Sequence, residues 1–283
     1  MDTSATDGET HGEPHSTGSA AETSGSGSAG SRGETEAGGD TDSPGETGEV
    51  SPCAIEGTEV WQRYAYRFST QTWDSPQPLD EVWAGPGAPP PRGIVAAASP
   101  VLSQRLFVMT EAGCLHERIG AQWVEMPLGE RFVEASGSSP NMATAARWPD
   151  HDELTLIDNP TARVYHLSDQ AEIVGEPLVV TLDDEDMGPP HATGTALWGF
   201  AMTNPDLIDV SAWYNAYFFY DDGMLYWYNA GTPVAVGNGW SSHVAQGGTN
   251  PIFQGTSANE PDPAQIRAAY YSAQADRVYF VGP

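Results

Sequence analysis

Ile266-Arg267-Ala268-Ala269-Tyr270 and, twelve residues after its start, Val278-Tyr279-Phe280-Val281 are the last turn of a recurring pattern, left half built because the chain stops at Pro283. Three earlier stretches open the same way, with a short apolar segment ending in small residues: Ile94-Val95-Ala96-Ala97-Ala98, Met142-Ala143-Thr144-Ala145-Ala146 and Ile208-Asp209-Val210-Ser211-Ala212. A second apolar run begins twelve residues on at Leu106 (LFVM) and Leu154 (LTLI), and after a shorter turn at Tyr217 (YFFY). Self-similarity at spacings of 48, 66 and 58 residues is the mark of a repeat array.

Each unit reads as a run of short strands. In the third, 208–212 and Tyr217–Tyr220 are followed by a turn at Asp221-Asp222-Gly223, then Met224–Tyr228 and Thr232–Val236. The first gives Leu106–Met109, Cys114–Ile119 and Gln122–Met126; the second gives Leu154–Ile157, Arg163–Leu167 and Glu172–Val174. Four strands per unit is the blade pattern of a β-propeller. The small residues fit the innermost strands, where a four-bladed ring leaves least room. The last unit lacks two strands, and Gly57–Tyr64 with Phe68–Trp73 have the form to supply them. Such closure hides both sheet edges. The expected fold is therefore all-β: a small four-bladed propeller over 51–283 whose N-terminal strands complete the C-terminal blade. A fifth blade using Thr195–Met202 is the alternative.

The first fifty residues obey different chemistry. They hold no aromatic residue, no Leu and no Ile, and eleven acids stand against Arg32 alone. Such a stretch buries too little apolar surface to offset the entropy of ordering, so residues 1–50 are expected to be a disordered tether with a reach of roughly 40 Å. The whole chain carries −28, and all eleven basic residues are Arg. A GC-rich genome or adaptation to salt accounts for that balance, and either disfavours nucleic acid and anionic membranes as partners. No apolar run is long enough to span a membrane. The leader resembles the Thr/Gly/Ser/Asp stalks that follow the lipidated cysteine of bacterial surface lipoproteins, notably of myxobacteria. That resemblance implies an extracellular or cell-surface protein in which Met1 replaces a removed signal and anchoring cysteine; a cytoplasmic protein with a low-complexity tail is the alternative. Cys53 and Cys114 match no metal motif and either pair in an oxidising compartment or stay free.

Ile208-Asp209-Val210-Ser211-Ala212-Trp213 followed by YFFYDDGMLYWY resembles the hemopexin repeat, and Ile266-Arg267-Ala268-Ala269-Tyr270 with Val278-Tyr279-Phe280 is a fair second match. The resemblance implies a four-bladed propeller with an axial cation, Ca²⁺ or another, held by backbone carbonyls of the second residue in each first strand. Those positions are Val95, Ala143, Asp209 and Arg267. Oxygen ligands suit hard cations. The family's haem-binding histidines match none of His116, His151, His166, His191 or His243, so no haem is expected.

Other clusters are read more plainly. Asp183-Asp184-Glu185-Asp186 lacks the alternating ligands of a Ca²⁺ loop and reads as a solvated loop. Asp150-His151-Asp152-Glu153 holds metal-binding residue types but sits where a turn is expected. No HExxH, GxSxG, P-loop or dinucleotide fingerprint is present. Trp213, Tyr214, Tyr226, Trp227, Tyr228 and Trp240 crowd one unit. Those not packed between blades are candidates for a binding patch, with the long inserts 183–206 and 238–263 as binding loops. The leading expectation is a monomeric, non-catalytic module, surface-tethered or secreted, that binds a protein or polysaccharide. A secreted carbohydrate-active enzyme using acids at the axis, and a structural coat component, are the alternatives.

Overall fold

Apolar residues at consecutive positions, unlike alternating ones, need cover on both faces of a strand, and the fold supplies it. In chain order the strands and short helices are β1 (Gln62–Arg67), β2 (Thr72–Trp73), β3 (Gln77–Pro78), α1 (Leu79–Val82), β4 (Ile94–Ala98), β5 (Leu106–Thr110), β6 (Cys114–Ile119), β7 (Gln122–Pro127) and α2 (Leu128–Arg131). They continue as β8 (Met142–Arg147), β9 (Asp152–Asp158), β10 (Thr161–Leu167), β11 (Leu178–Thr181), β12 (Ala196–Thr203), β13 (Tyr214–Tyr220), β14 (Met224–Ala230), β15 (Gly239–Val244), β16 (Ala268–Ser272) and β17 (Arg277–Gly282). This computed structural model describes residues 51–134, 137–147, 150–182, 194–203, 214–230, 239–244 and 252–283. The expectations for the leader 1–50, Asp183–Asp186, His191, Asp209, Trp213 and Thr232–Val236 lie outside the described residues.

Four antiparallel sheets stand in a ring: β4-β5-β6-β7, β8-β9-β10-β11, β12-β13-β14-β15 and β16-β17-β1-β2. They are called blades one to four. The first strands β4, β8, β12 and β16 pack against one another in cyclic order around the axis. The fold is a four-bladed β-propeller. Its ring closes inside blade four, where β1 pairs with β17 from Gln62↔Gly282 to Tyr66↔Val278. Arg277 Nε donates to Asp74 Oδ2 at 2.7 Å across the same seam, and the Arg63 guanidinium lies 4.6 Å over the Tyr279 ring. The Cys53–Cys114 disulfide ties the segment ahead of β1 to β6 of blade one.

The core is four wedges, each shared by two neighbouring blades. On β5, Phe107 and Met109 face blade two while Leu106 and Val108 face blade four. On β13, Tyr217 and Phe219 face blade four while Ala216, Phe218 and Tyr220 face blade two. Period-2 alternation thus feeds both sides, which is why LFVM and YFFY read as unbroken apolar runs. The wedge between blades three and four is the aromatic one. There Trp198 stacks on Phe219 at 5.2 Å, and Phe280 stands edge-on to Trp198 at 5.4 Å. Two one-turn helices seal the outer rim. Pro78-Leu79-Asp80-Glu81-Val82-Trp83 and Pro127-Leu128-Gly129-Glu130-Arg131-Phe132 each follow a proline and bury a Leu and an aromatic ring in a wedge.

Strand positions shift from expectation in several places, among them the fourth strand of blade three, which is β15 and not Thr232–Val236, and the first of blade four, which is Ala268–Ser272 and not Ile266–Tyr270. The first strand of blade three is β12, not 208–212; Gly199 lets it lie close, since a Cβ there would stand 2.5 Å from Phe218 Cδ1 and 2.7 Å from Tyr217 O. In blade four the third and fourth strands are Gln62–Arg67 and Thr72–Trp73, later than Gly57–Tyr64 and Phe68–Trp73. The intervening Phe68–Gln71 forms a turn, with Gln71 N–H on Phe68 O and Gln71 at φ 54°. In blade two the fourth strand is Leu178–Thr181, not Glu172–Val174. Ser168 Oγ accepts from the N–H groups of Gln170 and Glu172, so the chain coils there and Ile173 keeps only an isolated bridge to Leu167.

Candidate functional site

Blade four has a broken outer edge. The two residues of β2 pair with the Tyr66–Arg67 end of β1, and β3 pairs with the Gln62–Arg63 end. Alongside β2 runs the segment 252–265. Ile252 and Phe253 anchor it, with the Phe253 ring 5.5 Å from Trp73 and 5.3 Å from Phe280. At its far end Trp198 Nε1 donates to Pro263 O at 2.9 Å in the buried wedge.

Between hairpin and segment lies a cleft of about 190 Å³ lined by Tyr66, Gln71, Thr72, Trp73, Ile252, Gln254, Thr256, Ser257 and Glu260. The segment's rim is bonded to itself before any ligand arrives. Glu260 Oε1 accepts from Gly255 N at 2.7 Å, Glu260 N donates to Ser257 O, and Ser257 Oγ accepts from Asn259 N. Glu260 Oε2 is buried and makes no hydrogen bond among the described residues. Burial, then the Glu260 charge, push the Tyr66 hydroxyl above the usual phenol range. The cleft is smaller than the roughly 300–1,000 Å³ of sites for drug-sized ligands. It offers one indole, two amides, four hydroxyls and one carboxylate, and no cationic side chain.

A second cluster stands on blade two. Glu153 on β9 and His166 on β10 are opposite each other in the hairpin register. His151 lies two residues before Glu153. His166 Nε2 is 3.3 Å and His151 Nε2 3.8 Å from Glu153 Oε1, and one ligand atom from each residue lies within 4.8 Å of the others. The two imidazoles stack with ring centroids 4.4 Å apart, and His151 Nδ1 donates to Asp150 Oδ1 at 2.8 Å. That hydrogen bond holds the exposed Asp150 carboxyl below its usual range. Asp152, between them in sequence, turns the other way. It is fully buried and accepts from Leu102 N at 2.7 Å, bracing blade two against the β4–β5 loop of blade one, and burial raises its pKa.

The residues singled out in the sequence fall as follows. Val95 is bulged out of register on β4, and Ala143 on β8 pairs with Leu156 on β9. Arg267 precedes β16, with its N–H on Val281 O and its guanidinium on the carbonyls of Ala264 and Ile266. In blade three the second residue of the first strand is Leu197, also at a bulge, rather than Asp209. Tyr226 is buried in the wedge between blades two and three, edge-on to Tyr220, and its hydroxyl donates to Asp222 Oδ2. It therefore has little surface to offer a ligand. Tyr214, Trp227 and Trp240 lie on β13, β14 and β15, and their side chains are outside the described set. Part of the insert 238–263 does line the cleft. The hairpin residues Gln71–Trp73 carry only a strand signal, and nothing local in the sequence marks them otherwise.

No protein-family model matches the chain, and no curated protein does. Among solved structures it is similar to the WD40 domain of SCAP from fission yeast, at 9% identity over 65% of this chain and 36% of that one, with a TM-score of 0.27. It is also similar to BBS1N in complex with ARL6DN, at 12% identity over 80% of this chain and 72% of that one, with a TM-score of 0.30. The chain spans about a third of the length of the first. Likenesses this weak say nothing about what the protein binds.

Proposed function

We propose that this propeller is a non-catalytic binding module for a neutral polysaccharide, and that the blade-four cleft takes one sugar unit. The observation that carries the reading is the lining of the cleft. Planar amides and a carboxylate read hydroxyl groups, each amide both donating and accepting, and an indole offers an apolar face to the C–H side of a sugar ring. Segment 254–260 is held by its own hydrogen bonds, so little ordering is left to pay on binding. The net charge of −28 favours a neutral glycan over an anionic one. A disulfide persists in oxidising compartments, which supports display outside the cell or at its surface, with the acidic leader as tether and a lipid anchor ahead of it.

A glycan array carrying neutral and acidic oligosaccharides tests this, followed by titration calorimetry with the best neutral tetrasaccharide. Gln254 is exposed and Glu260 keeps its shape as Gln, so Gln254→Ala and Glu260→Gln leave the fold intact. Each should weaken binding about tenfold, the scale of one lost hydrogen bond to a charged or well-placed partner. Binding unchanged in both variants would remove the cleft from the reading. Release of reducing ends from the same oligosaccharide would replace a module with an enzyme, and capture of protein with no glycan bound would replace polysaccharide with a protein ligand.

A further inference from the structure

We propose that His151, Glu153 and His166 form a binding site for one divalent transition-metal ion of the Zn²⁺ type, with a fourth coordination position open to solvent. Neither the fold nor the cleft calls for this cluster, which stands on blade two at the end of the β9–β10 hairpin. The inference rests on four features of the geometry and is independent of the polysaccharide reading.

The donor set fits first. Two imidazole nitrogens and one carboxylate oxygen are the ligands that Zn²⁺ and its neighbours take, and three protein ligands with an open fourth position is the pattern of accessible zinc sites. The spacing fits next. With metal–ligand bonds of about 2.1 Å, two ligands of a tetrahedral ion stand about 3.4 Å apart. His166 Nε2 and Glu153 Oε1 are already 3.3 Å apart, and His151 Nε2 stands 3.8 Å from the same oxygen. Ligand atoms that lie within 4.8 Å of one another reach this figure by side-chain rotation alone.

The backbone holds the ligands rigidly. Glu153 and His166 are a cross-strand pair in a hairpin of two seven-residue strands, and His151 is two residues from Glu153, so all three side chains leave one face of the sheet. Finally, Asp150 plays the supporting part. A metal-bound histidine usually donates its other ring N–H to a carboxylate, which fixes the tautomer and leaves the far nitrogen's lone pair for the ion. His151 Nδ1 donates to Asp150 Oδ1 at 2.8 Å, and that leaves Nε2 as the nitrogen presented to Glu153. Side-chain exposures of 23% for His151, 25% for Glu153 and 48% for His166 give an ion a path in and leave room for a water or a ligand atom in the fourth position.

Titration of Zn²⁺ into the EDTA-stripped full chain near neutral pH tests the site. Wild type should bind one Zn²⁺ per chain at a site that His166→Ala lacks, while Asp150→Asn should weaken it 10- to 100-fold. Co²⁺ gives a second readout: intense visible bands of a four-coordinate ion in wild type, absent in His166→Ala. His166 is half exposed, so that variant should keep its circular dichroism and melting temperature. Should it not fold, Asp150→Asn decides alone, because Asp150 is 85% exposed. An isotherm unchanged in His166→Ala would overturn the proposal and assign the metal to other imidazoles, His11 and His15 of the leader included. Wild-type protein that takes up no Zn²⁺ would overturn it outright, as would a folded Asp150→Asn of undiminished affinity where that variant decides.

Discussion

Removing the Cys53–Cys114 bond should cost this fold about 4 kcal/mol, and the figure follows from chain length alone. The bond closes a loop of sequence separation 61 that contains β1 to β5, hence both the strand that clasps the ring and the inner strand of blade one. Opening a loop of that size returns about 14 cal/mol/K to the unfolded chain, or about 4 kcal/mol at 25 °C. At 2.1 cal/mol/K of unfolding entropy per residue, roughly 230 residues beyond the leader carry about 0.5 kcal/mol/K. The melting temperature should therefore fall by about 9 °C. Both cysteines are only 4% exposed, so reductant reaches the bond slowly. Scanning calorimetry should compare wild type with Cys53→Ala/Cys114→Ala as well as with reduced protein. Thiol titration in denaturant should find no thiol before reduction and two after it. A double variant melting within about 2 °C of wild type would refute the reasoning, because the clasp would then be held by β1–β17 pairing and its wedges without help from the covalent loop.

Three further outcomes are expected. His116 is fully buried and burial holds its pKa below the ordinary imidazole value, while its Nδ1–H donates to Gly87 O at 2.9 Å. Below about pH 6.5 the unfolded chain binds a proton the folded one refuses, so stability is full above that pH and declines as pH falls through it; the decline in urea midpoint should flatten in His116→Asn. Glu117 is 2% exposed and faces Arg105 at 2.7 Å and Arg131 at 3.8 Å. Glu117→Ala takes the carboxylate from both guanidiniums and should cost about 3 kcal/mol by urea unfolding, the low end for a broken buried pair because both arginines keep some solvent and Arg131 keeps the Ala171 carbonyl. Gly199→Ala should cost about 3 kcal/mol, since its Cβ would meet Phe218, Met142 Sδ and Tyr217 O at 2.5 to 2.7 Å on three sides.

What the sequence made legible was whatever both faces of a blade demanded at once. LFVM, LTLI, YFFY and VYFV are second strands, apolar throughout because each lies between two wedges, and all four are found where expected. The clasp between the two ends of the chain was legible for the same reason, as a unit missing two strands. Blade three misled because Ile208-Asp209-Val210-Ser211-Ala212 carries the small-residue ending that true first strands share. The strand that fills the place, Ala196-Leu197-Trp198-Gly199-Phe200-Ala201-Met202-Thr203, spreads its small residues among large rings and is interrupted by a bulge. A second repeat went unread. Pro-Leu-x-Glu-x-aromatic at 78–83 and 127–132 recurs close to the blade spacing and caps two wedges. The sites were less legible, since each depends on register. The His166–Glu153 pairing follows only once the hairpin turn at Asn159–Pro160 is placed, and Gln71 comes to line one cleft with Glu260 only after the ring has closed.

The placement of both proposed sites follows from how a four-bladed ring spends its surface. Ala96, Ala97, Ala143, Ala145, Ala268 and Ala269 on the inner strands are at most 6% exposed and pack into the wedges, so these strands offer a ligand little side-chain surface. The blade faces are consumed by the wedges. Only strand ends, connecting loops and outer edges remain to meet a ligand. Two short helices use up more of the rim: α1, after β3 of blade four, and α2, after β7 of blade one, tuck Leu79, Trp83, Leu128 and Phe132 into the wedges. Blade four alone borrows its outer half from the opposite end of the chain, and beyond β1 its edge is two dipeptide strands, β2 and β3, with Asp74 between them held by Arg277. A two-residue edge strand cannot cover a six-residue neighbour, and segment 252–260 comes alongside to finish the job. Because that segment is a loop and not a strand, it meets β2 through side chains, and the cleft is the space their mismatch leaves. The device that closes the ring is thus the one that opens the site.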